Sequence, residues 1–75
     1  MKTERTSNTT ERIREGNYVA EVEITLHYGT TEWDPTIERE DVEKLDRVRR
    51  ALRGGDLKAA AREAKIFELH PVAAE

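Results

Sequence analysis

The chain has 75 residues, 36% hydrophobic and 39% charged, with no cysteine and a formal net charge of −3. That length holds one small domain, which buries only roughly 60% of the surface its unfolded chain exposes, and without disulfides or thiolate metal sites packing or association must carry the fold. The mild acidity weighs against general nucleic-acid binding, no apolar run approaches the roughly 20 residues that span a bilayer, and a cytoplasmic location is expected.

Residues 1–8 are polar and aperiodic, which predicts a disordered N-terminal tail. One domain is expected over residues 9–71, with 72–75 as a C-terminal tail. A short first strand is expected around residues 11–15, with Ile13 its only large apolar side chain. Gly16-Asn17 then separates two extended segments, and both residue types tolerate the positive φ of tight hairpin turns.

Segment 18–28 carries the clearest pattern. Tyr18, Ala20, Val22, Ile24, Leu26 and Tyr28 alternate with a second set that includes Glu21, Glu23, Thr25 and His27. Period two gives a strand with one apolar and one wet face; a helix would scatter the same groups around its circumference. Gly29 ends the strand and Asp34-Pro35 signals a turn. Trp33, the sole tryptophan, reads either as a cap on one end of the core or as an anchor for a partner.

Thr36 stands where a helix cap is expected, with Pro35 blocking backward extension. Val42, Leu45, Val48 and Leu52 recur at spacings of three and four, and Ile37 and Ala51 widen the stripe. Glu38, Glu40, Asp41 and Glu43 crowd the first turns and Arg47, Arg49, Arg50 and Arg53 the last, an order that complements the helix dipole. Glu40–Lys44, Glu43–Arg47 and Asp46–Arg50 are expected as i,i+4 ion pairs. Gly54-Gly55 ends this helix with a left-handed cap, and Asp56 caps a second helix whose Leu57, Ala60, Ala61 and Ala64 share a face. The segment from Ile66 to His70 is open to helix or strand; alternation of Phe67 and Leu69 with Glu68 and His70 favours a third strand, and Pro71 terminates either. The fold class is α+β: a small antiparallel sheet, a β-hairpin plus a possible C-terminal strand, covered on one face by a helical hairpin, in the order β-β-α-α-β. No internal repeat is visible.

Carboxylates are plentiful but fall on polar faces. Glu21 and Glu23 share a flat strand face with no pocket to shift one pKa, so they read as solvated charge. His27 and His70 could join a glutamate at a metal only if a third strand brought them together. No nucleophile elbow, phosphate-binding glycine loop or metal-binding helix pair occurs. No catalytic residue, metal or cofactor is therefore expected, and the chain is not read as an enzyme.

Two binding readings remain. The strand 18–28 is longer than its candidate partners, and an unpaired edge invites another chain, so this strand or a neighbour is expected to form a protein–protein contact. Val19, Glu21, Glu23, His27 and Trp33 are the candidate contacts, with another protein or a second copy as partner. The alternative is a small DNA-binding transcriptional regulator using the helical hairpin 37–65, with Arg49, Arg50, Arg53, Lys58 and Arg62 as contacts and residues 56–65 as recognition helix. Against it stand the alanine-rich second helix and the interleaved acids.

Leu45-Asp-Arg-Val-Arg-Arg-Ala-Leu-Arg-Gly-Gly-Asp-Leu-Lys-Ala-Ala60, the opening from Arg14 to Val22 and the closing Phe67 to Val72 resemble a group of small bacterial proteins. Some of these look like antitoxin partners in toxin–antitoxin pairs. The resemblance implies a neutralising, protein-binding role and transfers no residue-level function.

Overall fold

The structure is a computed structural model that describes residues 5–29 and 35–73. In order it comprises β1 (Arg5–Glu15), β2 (Tyr18–Tyr28), β3 (Thr36–Ile37), α1 (Arg39–Arg53), α2 (Leu57–Ala61) and β4 (Lys65–Glu68). The sheet is antiparallel and the helices cover one of its faces, so the α+β architecture read from the sequence holds, with one additional two-residue strand before α1.

The hairpin turns at Gly16-Asn17. Gly16 has φ +61° while Asn17 is not left-handed, the pattern of a type II′ turn. From that turn β1 and β2 pair without interruption from Glu15↔Tyr18 to Arg5↔Tyr28. The first strand is thus longer than expected, and Arg5 to Asn8, assigned above to a disordered tail, lie within it. Their pairing needs no apolar pull, because β2 presents a backbone partner at every position. Polar rungs join the strands on the open face: Thr10 Oγ1 donates to Glu23 at 2.7 Å, Thr25 Oγ1 to Asn8 at 3.1 Å, and Arg12 Nε to Glu21 at 3.2 Å.

On the helix face lies the core: Ile13, Ala20, Val22, Ile24, Val48, Leu52 and Ala60. Ala20, Val22 and Ile24 are alternate positions of β2, while Val48 and Leu52 are one turn apart on α1; the two periods meet there. Val22 and Val48 are its largest completely buried side chains.

Thr36 does not cap α1. It pairs with His27 in β3 while Ile37 pairs with Leu26, and the helix starts from Glu38, which makes no side-chain cap. A ladder to β2 takes the segment that a cap would have used, and Ile37 leaves the helical stripe with it. The other end behaves as expected. Gly55 is left-handed at φ +75°, Gly55 N–H donates to Leu52 O at 3.1 Å, and Asp56 N–H donates to Ala51 O at 2.8 Å, the paired bonds of a Schellman motif. Asp56 then caps α2 by accepting from Ala59 N–H at 3.1 Å. The ambiguous C-terminal segment is a strand, and it begins at Lys65 and ends at Glu68, earlier than the expected 66–70. Trp33 lies outside the described residues. Among the described residues no helix is long and apolar enough to cross a membrane.

Candidate protein-binding edge

The strand expected to recruit a partner, β2, is the centre of the sheet. On one side it pairs with β1 over its whole length; on the other, β4 takes Tyr18 to Glu21 and β3 takes Leu26 and His27. Between β4 and β3, α1 closes the gap with side chains. Asp41 Oδ2 accepts the Thr25 N–H at 2.9 Å, and Lys44 Nζ donates to Glu23 O at 2.6 Å. Lys44 also lies 3.8 Å from Asp41. The free-edge reading of β2 is therefore corrected: its backbone is engaged by its own chain.

The unpaired edge belongs to its neighbour. Among the described residues β1 has a partner on one side only. In a two-residue hairpin the pair flanking the turn, Glu15 and Tyr18, exchanges both backbone bonds. Alternation from that pair aims the N–H and C=O groups of Thr6, Asn8, Thr10, Arg12 and Arg14 outward. Two of the usual edge protections are missing, although Glu11 and the arginines leave the strand charged. The strand has no proline and no bulge. Its arginines fold back on their own chain: Arg12 onto Glu21, Arg14 Nε onto Gly16 O at 3.3 Å, and the Arg5 guanidinium 5.4 Å above the Tyr28 ring.

The candidate contacts Val19, Glu21, Glu23 and His27 do share one surface, the open face of β2. Glu21 and Glu23 are tied to β1 as described. Val19 opposes Phe67, which is 46% exposed. His27 Nε2 is buried without a hydrogen-bond partner, 3.6 Å from a Glu38 oxygen. His27 and His70 do not approach. Because β4 runs antiparallel with Glu68 beside Tyr18, His70 emerges beyond that end of β2, about 37 Å from His27 at roughly 3.4 Å per residue. Among the described residues no cluster of three or more His, Asp or Glu could hold a metal.

The basic residues of the helical hairpin are dispersed among acids. Arg50 pairs with Asp46 at 3.1 Å and Arg53 with Glu15 at 3.2 Å, the latter tying α1 to β1. Arg47 makes a two-point contact with Glu63, at 2.6 and 2.9 Å, which lowers the Glu63 pKa and raises that of Arg47. Arg49 is exposed on α1, Lys58 lies on α2 and Arg62 caps its end. The recognition helix expected over 56–65 is reduced to Leu57–Ala61, because the chain turns at 62–64 to enter β4.

The outer surface of α1 carries a shallow, open depression lined by Val42, Glu43, Leu45, Asp46, Arg47, Arg49 and Arg50. Val42 is 50% exposed. Asp41 and Lys44 face the β3–β4 side of the sheet and Arg53 faces β1. At about 100° per residue, Val42 and Arg49 share the Arg53 flank, with Leu45 between that flank and the core. Val42 and Arg49 therefore look toward the free edge of β1.

Sequence reasoning left a neighbour of β2 open as the contact but did not foresee the length of this edge, because β1 is mostly polar. The available signal was symmetry about the turn: an eleven-residue extended segment follows Gly16-Asn17, and a β-branched, proline-free segment of equal length precedes it. Comparison with protein-family models, curated proteins and solved structures finds no match to this chain.

Proposed function

We propose that this chain is a non-catalytic protein-binding module that recruits another strand to the outer edge of β1, the use an antitoxin-like neutraliser or a homo-oligomer would make of it. The carrying observation is the eleven-residue strand that, among the described residues, is paired along one side only. An added strand would satisfy the outward backbone groups with main-chain hydrogen bonds, while side chains on either face would set selectivity. The slender core adds a second reason: among the described residues seven are buried while Val42 and Phe67 stay half-exposed, and an attached chain would cover more apolar surface.

The test is recovery of the tagged full chain from its native host, beside a Thr10→Pro variant. Proline at an outward position removes a recruiting N–H and leaves the β1–β2 ladder intact. Recovery of a second polypeptide, or an untagged copy, with the wild type but not with the variant supports the proposal. Wild type recovered as a lone monomer overturns it. Retardation of DNA that weakens steeply with salt would favour the regulator alternative.

A further inference from the structure

We infer that the strand recruited by β1 is β1 of a second copy, in an antiparallel pair whose two-fold axis passes through Thr10. This rests on the edge-recruitment reading and adds partner and register to it. A two-fold axis normal to the sheet keeps each copy's helix face on the same side, so residues of equal parity must oppose one another. Centring on Thr10 is the arrangement that overlaps the strand completely. It sets Thr10 against Thr10, Asn8 against Arg12, and Arg5 against Glu15 of the second copy at both ends. The outward groups of Thr6, Asn8, Thr10, Arg12 and Arg14 then meet one another. Moving the axis one residue toward the turn sets Glu11 against Glu11; a second step sets Arg12 against Arg12. Charge thus disfavours those slips and rewards the central register.

The helices fit the same geometry. α1 packs over both β1 and β2. From the seam of β1 and β2 to that of the second copy is two strand spacings, about 10 Å. Packed helices sit about 8–10 Å apart. Along the sheet the axis lies level with Glu23, the partner of Thr10, and Glu23 O is held by Lys44. Leu45, next to Lys44, and Val42, one turn before it, therefore meet their own copies near the axis. The second molecule covers the half-exposed Val42.

The absence of cysteine makes the test clean. Thr10→Cys places two thiols across the axis with Cα atoms about 5.5 Å apart, inside disulfide range. Arg12→Cys serves as control, since its two copies lie four residues apart, about 14 Å. On mild oxidation of the purified full chain, Thr10→Cys is expected to run mostly as a covalent dimer and Arg12→Cys to stay at least tenfold less cross-linked. Light scattering of the wild type at rising micromolar concentration is expected to approach twice the 8.6 kDa chain mass. Thr10→Pro, folded by circular dichroism, should remain monomeric. Monomer mass throughout, or equal cross-linking at positions 10 and 12, overturns the inference. A monomeric wild type that still binds a host protein through an edge sensitive to Thr10→Pro overturns self-pairing while upholding strand recruitment, so the two readings fail separately.

Discussion

Asp41 Oδ2 accepts the backbone N–H of Thr25 at 2.9 Å, so a helix side chain fills a rung of the β-ladder where no strand is present. β4 and β3 are short and flank a gap along β2; this contact and the Lys44 bond to Glu23 O make α1 a substitute for the missing strand. It also holds the helix over the core. Asp41→Ala should leave a part-buried donor unpaired, at a cost of about 1–3 kcal/mol. For a domain this size that lowers the melting temperature by about 4–8 °C per kcal/mol. Asp41→Asn keeps an acceptor and should lose less. Thermal unfolding with amide exchange at Thr25 checks this: exchange at Thr25 must accelerate in Asp41→Ala beyond the change at other β2 amides.

The Arg47–Glu63 contact predicts an acid-side dependence of stability. Hydrogen bonding and charge from Arg47 hold the Glu63 pKa below the ordinary glutamate value, about 4.3. A lowered folded-state pKa gives stability that is present above the unfolded value and lost as pH falls through the folded one. Wild type should therefore melt above Glu63→Gln at pH 6, with the difference shrinking on acidification below about pH 4. Melting curves of both chains from pH 6 to pH 3 measure it; a gap that stays constant would contradict the assignment.

Adjacent glycines should respond differently to alanine. Gly55 sits at φ +75° with open space where a Cβ would go, so Gly55→Ala carries the left-handed penalty alone, about 1–2 kcal/mol. Asparagine, which tolerates that region, should cost less. Gly54 has φ −84° and its added Cβ would meet Arg50 O at an ordinary 3.5 Å, so Gly54→Ala should be close to neutral. Denaturant unfolding of the three variants ranks them.

Two valines on one helix separate fold from association. Val48 is 1% exposed and Val42 50%. Val48→Ala removes buried methyl groups at about 0.8 kcal/mol each and leaves a cavity, so a loss of about 2 kcal/mol is expected. Val42→Ala should change monomer stability by less than about 0.5 kcal/mol, as surface substitutions usually do. If α1 meets a second copy, Val42→Asp should weaken self-association while circular dichroism of the monomer is unchanged. Sedimentation at several concentrations would show whether mass and fold separate in this way.

The parts legible in the chain are those encoded within a few residues. Alternation from Tyr18 to Tyr28 announces β2, Gly16-Asn17 announces the turn, and Gly54-Gly55-Asp56 announces one cap and then the next. The heavily charged helix 39–53 announces α1 through its apolar stripe. The polar half of β1 was hidden because its order comes from pairing with β2 and not from its own side chains. β3 was hidden because two residues carry no period.

Ion-pair partners were legible only in part. Asp46–Arg50 forms as an i,i+4 pair. Lys44 turns instead to Glu23 O and Asp41, and Arg47 to Glu63, because the packed fold offers them better acceptors than their helix neighbours. An isolated helix would have no such choice.

The sequence by itself determined β2, the hairpin turn, the body of α1 and its C-terminal cap, and which sides of β2 and α1 are greasy, since those follow from periodicity, turn residues and caps acting over one or two turns. Tertiary structure alone decided that β2 is central and β1 the edge. Strand order depends on which distant segments reach β2's two sides, and short-range chemistry does not specify it. That placement moved the surface available to a partner from one strand to its neighbour.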